Sequence, residues 1–344
     1  MKELSIPQLF GQLKYDQVFP RAYLALVSLF SGYFSFSLQS VRFLPLIFMI
    51  SGFLIWLYLY KKQCRPEAAF LLTAFTFASS VFTTYYAGMI KQYSCDLCAI
   101  AIFTLFIYFQ DKYYQKKLSL KYIYSFCILT PLLILFSHMS FLILWVPLYN
   151  FLLSGKEKKE LKLPFLIYFI LIICAALLVY WSDIRYSMQV KFMQEYWNNA
   201  FIDTGSLYAF SKTFTNGLRN IIVRWFVEEK IAKSIASVFM PFAVAAIFIN
   251  ARKSLAKNHY KILDINALCA ILLLELLALG MLRIYPFTGA RITLFIAPFI
   301  FYMIVEGIYL VKKVKFIFYP LATAYLIFLS GVSYYLLNFY LHNL

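Results

Sequence analysis

Long apolar runs, each followed by a short group of basic residues, recur along the whole chain and limit what it can fold into. The runs are about 15 to 25 residues long, close to the roughly 20 apolar residues that a helix needs to cross a bilayer. Backbone polar groups inside a bilayer must be hydrogen-bonded within the protein, and a helix satisfies them. Because 63% of the 344 residues are apolar and only 14% are charged, an ordinary soluble protein is excluded.

The apolar runs predict an all-α fold, a polytopic bundle of about ten transmembrane helices with one larger external loop region. No shift in composition and no internal repeat marks a second domain, so residues 1–344 are expected to form a single integral membrane domain. The predicted spans are residues 43–60, 68–87, 94–109, 122–136, 139–153, 163–181, 235–250, 262–281, 292–310 and 316–340.

The basic residues between the runs predict the orientation of the chain. Cytoplasmic connections of membrane proteins carry an excess of Lys and Arg. One alternate set of connections holds eighteen such residues, whereas the opposite short connections hold three, namely Lys91, Arg283 and Arg291. The first set is therefore expected to be cytoplasmic.

Two parts of the chain are expected to lie at the external face. Residues 182–234 form a predicted external loop whose aromatic and charged residues suit the headgroup layer. Residues 1–42 form a predicted external interfacial segment, in which residues 23–36 are apolar enough for an amphipathic helix or a re-entrant piece. Because nothing in this segment would carry Met1 across the membrane, we expect a first span to be missing from the sequence.

The net charge of +17 does not indicate a protein that binds nucleic acid. The lysines stand in short blocks between apolar runs, whereas a nucleic-acid surface spreads them over a folded soluble face. Cys95 and Cys98 form a CxxC pair, but no His lies near them in the sequence, so no metal site is predicted. The chain has no Walker loop and no dinucleotide fingerprint, and no cofactor is predicted.

Polar side chains at the external ends of the helices are the candidates for chemistry. Lys91 opposes the topological bias and, with Tyr93, could face a headgroup or a sugar. Arg283 and Arg291 flank a short turn; guanidinium groups match phosphate oxygens, although arginines at helix ends also snorkel to the interface. His138 is a proton carrier, an orienting donor or a packed, hydrogen-bonded residue. Other polar residues at this face are Asp16, Arg21, Arg42, Asp96, Asp183, Arg185, Glu195 and Asp203.

Four short stretches match motifs that occur together, and in this order, in one group of membrane enzymes. Residues 15–20, YDQVFP, are similar to an outer segment "YDQ..PP", and residues 85–96, YYAGMIKQYSCD, to a corner "YY..E.KQYS.D". Tyr196 and Trp197 with Phe201 are similar to "YW...F", and residues 283–291, RIYPFTGAR, to a turn "YPF.GGR..LF..P". Through these motifs most of the chain resembles the bacterial polytopic GT-C glycosyltransferases, the group similar to dolichyl-phosphate-mannose protein mannosyltransferases.

The resemblance implies transfer of a sugar, hexose or pentose, from a polyprenyl-phosphate donor to an acceptor on the outer face of the membrane. A carboxylate in the first outer loop is then expected to act as general base. The usual Asp-Glu pair is absent here, so the predicted catalytic residue is Asp16, the nearest outer carboxylate. The predicted ligands of the donor phosphate are Lys91, Arg283 and Arg291, and the predicted substrate-binding residues are Tyr93, His138 and Trp197. No metal is required, because Lys and Arg can neutralise a monophosphate leaving group.

The resemblance also implies a location and partners. We expect a multi-pass protein of the bacterial inner membrane with a periplasmic or extracellular active face, in contact with membrane lipids and with a lipid, glycan or protein acceptor. Two other functions remain open. A flippase or transporter of polyprenyl-linked sugars would alternate access between the two faces, and a truncated, non-catalytic membrane scaffold would fit the missing first span.

Overall fold

A computed structural model describes residues 6–10, 19–64, 66–87, 89–154, 159–187, 195–226, 230–257, 263–289 and 291–343. These residues are almost entirely helical, and there is no β-strand among them. The α-helices are α1 (Ile6–Leu9), α2 (Arg21–Tyr33), α3 (Leu38–Gln63), α4 (Glu67–Ala78), α5 (Val81–Ala87), α6 (Tyr93–Tyr114), α7 (Leu120–Leu133), α8 (Trp145–Ser154), α9 (Lys162–Val179), α10 (Arg185–Ser187), α11 (Leu207–Val223), α12 (Lys230–Ser237), α13 (Met240–Lys257), α14 (Ile265–Met281), α15 (Ala297–Leu310) and α16 (Lys315–Asn343).

Among the described residues, six helical segments are long and apolar enough to cross a membrane, which confirms the prediction of an all-helical, multi-pass membrane protein. The number of ten spans stays a prediction. Each of the six segments coincides with a run predicted as a span: Leu38–Gln63, Tyr93–Tyr114, Lys159–Ile184, Ser234–Ala256, Ile292–Leu310 and Lys315–Asn338. Four shorter apolar segments coincide with the remaining runs: Glu67–Ala78, Leu120–Leu133, His138–Leu153 and Ile265–Met281.

The chain divides into two compact units. The first unit comprises Met1–Ile55, Gly88–Asn198 and Ser254–Ile265, and the second comprises Trp56–Ala87, Asn199–Lys253 and Asn266–Leu344.

Helix α6 forms the centre of the first unit. Apolar residues occur on every side of it, and Leu97, Phe103 and Phe106 are fully buried. A helix that is hydrophobic all round belongs in the interior of a bundle, and α6 packs there against α7 and α8. Helix α3 approaches it closely at Gly52, where an added Cβ would lie 2.7 Å from Leu97 Cδ2.

Helix α15 has the corresponding position in the second unit. Its residues Phe299, Phe301 and Met303 are fully buried, and it packs against α4 and α16. Gly307 of α15 lies against the backbone of Phe242 in α13, so this crossing depends on the absence of a side chain. Small residues at such crossings let membrane helices approach closely and gain packing energy.

Candidate functional site: a buried carboxylate cluster at the end of a membrane helix

Asp183 lies at the centre of a buried polar cluster in the first unit. Its Oδ1 is 3.4 Å from the Nε atom of Arg21, and its Oδ2 accepts a hydrogen bond of 3.2 Å from the backbone N–H of Arg21. The two side chains expose 1% and 3% of their surface. Charges so far removed from water are costly unless they are paired, so each of the two ions depends on the other.

The start of α2 adds to the stabilisation of the Asp183 carboxylate. Arg21 is the first residue of this helix and follows Pro20. The first N–H groups of a helix have no partner within it and carry a partial positive charge, which favours an anion. Burial lowers the pKa of the Arg21 guanidinium, and the negative charge of Asp183 counteracts this shift. The carboxylate thus faces both a cation and a helix N-terminus.

A widened helical turn holds Asp183 in place. Helix α9 is apolar from Lys162 to Val179, and Tyr180–Ile184 then forms one turn of π-helix before Arg185 starts α10. A π-turn takes one residue more than an α-turn, so it rotates the side chains that follow it, and such turns occur often at functional sites. The turn places a buried carboxylate at the end of a membrane-length helix.

His138 is the second partner of Asp183. It begins a short 3-10 helix, His138–Leu142, and its Nε2 lies 3.0 Å from Asp183 Oδ2. The preceding residue, Ser137, donates a hydrogen bond of 2.7 Å from its hydroxyl to Asp96 Oδ1 in α6. The backbone just before the imidazole is therefore tied to the central helix of the unit. The imidazole itself keeps 21% of its side-chain surface exposed. We call Arg21, His138 and Asp183 the Asp183 cluster.

A second arginine lies next to the Asp183 cluster in sequence and shares an aromatic neighbour with it. The guanidinium carbon of Arg185 is 4.7 Å from the ring centre of Trp181 and 4.6 Å from that of Tyr186, and its Nη2 donates a 2.6 Å hydrogen bond to the Tyr186 hydroxyl. The Arg21 guanidinium carbon lies 6.0 Å from the same Tyr186 ring. Stacking on aromatic faces suits guanidinium groups and fixes their planes.

Both arginines keep buried donors without a hydrogen-bond partner among the described residues. These are Nε and Nη1 of Arg21 and Nε of Arg185. At 3.4 Å, Arg21 Nε is within ion-pair distance of Asp183 but does not hydrogen-bond to it. Buried donors in proteins are normally satisfied. Two fixed guanidinium groups with donors to spare form an arrangement that can bind an anion.

The corner around Lys91 packs against residues on either side of Arg21, at the start of α2. The Tyr23 hydroxyl donates a 2.7 Å hydrogen bond to the carbonyl of Ile90, and Lys91 Nζ lies 5.7 Å from the ring centre of Phe19. Tyr93, the first residue of α6, is buried. The structure thus brings the Lys91 corner, His138 and residues 181–186 to the same end of the first unit.

The predicted residues Arg283 and Arg291 lie in the second unit, in the turn between α14 and α15. Arg283 has a left-handed backbone with φ of 57°, and its guanidinium carbon is 5.4 Å from the ring centre of Phe201. The backbone N–H of Phe287 donates to the carbonyl of Ala200 at 2.9 Å, so the turn is joined to the segment that follows Trp197. Arg291 begins a 3-10 helix, Arg291–Ile296.

Trp197 and Asp16 are the two remaining positions predicted from the sequence. Trp197, in the first unit, makes a T-shaped, edge-to-face contact with Tyr196, with ring centres 5.0 Å apart. Asp16, the predicted base, lies outside the described residues. The roles predicted for Asp16, Trp197, Arg283 and Arg291 stay predictions. Among the described residues, no three His, Cys, Asp or Glu side chains are grouped so that they could hold a metal ion.

The sequence alone does not select Asp183, Arg21 and Arg185 from the other polar residues of the external face. Asp183 and Arg185 could have been selected from their position directly after an apolar run, because charged residues at such positions are functional candidates. Comparison of the chain with protein-family models, with curated proteins and with solved structures gives no match.

Proposed function

We propose that this protein transfers a sugar from a polyprenyl-phosphate donor to an acceptor at the external face of the membrane. The observation that carries the proposal is the Asp183 cluster with Arg185 beside it, at the end of a membrane-length helix. It combines fixed cations for a phosphate with a carboxylate and an imidazole for proton transfer. The proposed reaction class comes from the resemblance of four short stretches to motifs of GT-C glycosyltransferases.

The two arginines are the proposed ligands of the donor phosphate in the first unit. Arg21 Nη1 and Arg185 Nε are buried N–H groups that lack protein acceptors among the described residues. A phosphate accepts several such hydrogen bonds at once. As the sugar leaves, negative charge grows on the phosphate oxygen, and fixed donors stabilise it without reorganisation. Lys91, at the same end of the unit, is the proposed third cation.

In the proposed topology, the Asp183 cluster lies at the external face of the membrane. The six long apolar helices and the four shorter ones would give ten crossings. The excess of Lys and Arg in alternate connections would put residues 181–187 outside the cytoplasm. A polyprenyl chain is apolar and remains in the lipid, so its phosphate would reach the protein at the end of a span, where Arg185 lies.

Reconstituted protein provides the test. Purified protein in liposomes is given polyprenyl phosphates carrying radiolabelled hexoses or pentoses, with an extract of bacterial envelope as the source of acceptor. We expect labelled sugar to move to acceptor while free polyprenyl phosphate accumulates. Arg185→Gln should reduce transfer at least tenfold. Arg219→Gln, which changes an exposed arginine bonded to Ser237, should leave transfer unchanged and serves as the matched control.

Two results would overturn the proposal. One is the absence of transfer with every donor although the protein is folded and monodisperse. The other is movement of labelled donor across the bilayer without any cleavage of the sugar–phosphate bond, which would identify a flippase.

A further inference from the structure

We infer that His138 is the general base that removes the proton from the acceptor hydroxyl, and that Asp183 orients its ring. This inference rests on the proposed transfer reaction. The base is then the imidazole of His138, hydrogen-bonded to the buried carboxylate of Asp183, and not the carboxylate predicted at Asp16.

The contact between His138 and Asp183 determines which ring nitrogen can accept a proton. An ionised carboxylate only accepts hydrogen bonds. In the 3.0 Å contact, His138 Nε2 therefore carries the hydrogen and donates it to Asp183 Oδ2. In the neutral ring the lone pair is then on Nδ1, which is the nitrogen available as a base. A base held by a carboxylate in this way is the arrangement expected of an activating pair.

Arg21 and the start of α2 hold the Asp183 carboxylate in place beside the ring of His138. Arg21 contributes a cation at 3.4 Å and the backbone N–H that starts α2 contributes a donor at 3.2 Å. Protonation of His138 during the reaction produces an imidazolium next to this carboxylate, which stabilises the new charge.

The difference in solvent exposure between Asp183 and His138 indicates which of the two meets the acceptor. Asp183 exposes 1% of its side chain and His138 exposes 21%, so only the imidazole can meet an acceptor. Ser137, held by Asp96, limits movement of the backbone that carries the ring. A base of low mobility at the edge of a buried cluster suits a reaction in which the acceptor approaches from water or from the headgroup layer.

In the proposed step, a proton moves from the acceptor to His138 while the sugar moves from the phosphate to the acceptor oxygen. His138 Nδ1 takes the proton of the acceptor O–H while the oxygen forms a bond to the anomeric carbon of the sugar. The bond between that carbon and the phosphate oxygen breaks, and its electron pair leaves with the polyprenyl phosphate. The imidazolium later gives its proton to solvent. General-base assistance of this kind contributes about 10² to 10⁴ to a rate.

The test compares His138→Ala, His138→Gln and Asp16→Asn with the wild-type protein in the reconstituted transfer assay. Binding of undecaprenyl phosphate is measured separately by native mass spectrometry, and thermal unfolding of each variant reports whether it is folded. We expect the kcat of both His138 variants to fall by a factor of about 10² to 10⁴, while binding of the lipid stays unchanged. Added imidazole should restore part of the activity of His138→Ala, where the ring is missing.

Asp183→Asn should also lower kcat, but imidazole should not restore it, because the ring of His138 still fills its place. A purely structural role of His138 would not give rescue by imidazole. Equal kcat of His138→Ala and wild type would overturn the inference, and so would loss of activity in Asp16→Asn alone. An inactive wild-type protein would instead count against the proposed function, so the two failures can be told apart.

Discussion

Removing the charge of Asp183 should destabilise the protein strongly, because its partner Arg21 would remain buried and uncompensated. The side chains expose 1% and 3% of their surface, so solvent screening reduces the effect little. Breaking a buried ion pair by removal of one partner typically costs about 3–5 kcal/mol. At about 1.4 kcal/mol for each tenfold change, the unfolding equilibrium should shift by at least about two orders of magnitude.

A double-mutant cycle would test this reasoning. We expect Asp183→Asn and Arg21→Met each to cost about 3–5 kcal/mol. The double variant should cost less than the two together by about 0.5–3 kcal/mol, since it leaves no lone buried charge. Unfolding in dodecyl maltoside is followed by tryptophan fluorescence as sodium dodecyl sulfate is added.

A matched surface pair provides the control. Lys112 and Asp111 lie 3.2 Å apart with 28% and 19% of their side chains exposed, and Asp111→Asn should cost less than about 1 kcal/mol. Additive effects in the Asp183–Arg21 cycle, or single variants no less stable than Asp111→Asn, would refute the account of the buried pair.

Further predictions concern helix packing, membrane topology and Arg291 in the turn between α14 and α15. Gly307→Ala places a methyl group against the Phe242 backbone and should lower the free energy of unfolding by about 1–3 kcal/mol. Gly331→Ala, with open space around it, should raise it by about 0.5–1 kcal/mol. Thermal unfolding of both variants measures the two effects, and equal melting temperatures would contradict them. Gly205→Cys should react with a membrane-impermeant maleimide in intact cells and Lys117→Cys only after permeabilisation, and the reverse pattern would invert the proposed topology. Arg291→Ala should abolish sugar transfer while membrane insertion is preserved, and normal turnover would remove Arg291 from the proposed mechanism.

Much of the fold can be predicted because bilayer thickness sets the length of each apolar run. The predicted span 94–109 lies within Tyr93–Tyr114, and 163–181 lies within Lys159–Ile184. Local hydropathy cannot show where a helix is interrupted by a contact with a residue far away in the sequence. Residues 68–87 form two helices, α4 and α5, separated at Ser79 and Ser80; the Ser80 hydroxyl donates to the carbonyl of Trp225.

Less of the candidate site can be predicted, because it depends on contacts between residues far apart in sequence. Arg21 and Asp183 are separated by 162 positions, and nothing in either neighbourhood indicates the other. The sequence does assign both to the external face, together with His138. The π-turn at Tyr180–Ile184 has no marker such as Pro or Gly, so the direction of the Asp183 side chain becomes visible only in three dimensions.

Photocrosslinking would test most directly whether a lipid phosphate binds at the Asp183 cluster. A polyprenyl phosphate with a diazirine close to the phosphate is irradiated with the reconstituted protein, and the labelled peptides are identified by mass spectrometry. We expect label in residues 181–187 and at the start of α2, with loss of that label in Arg185→Gln and retention in Arg219→Gln. Label confined to other segments, or unchanged in Arg185→Gln, would contradict this expectation.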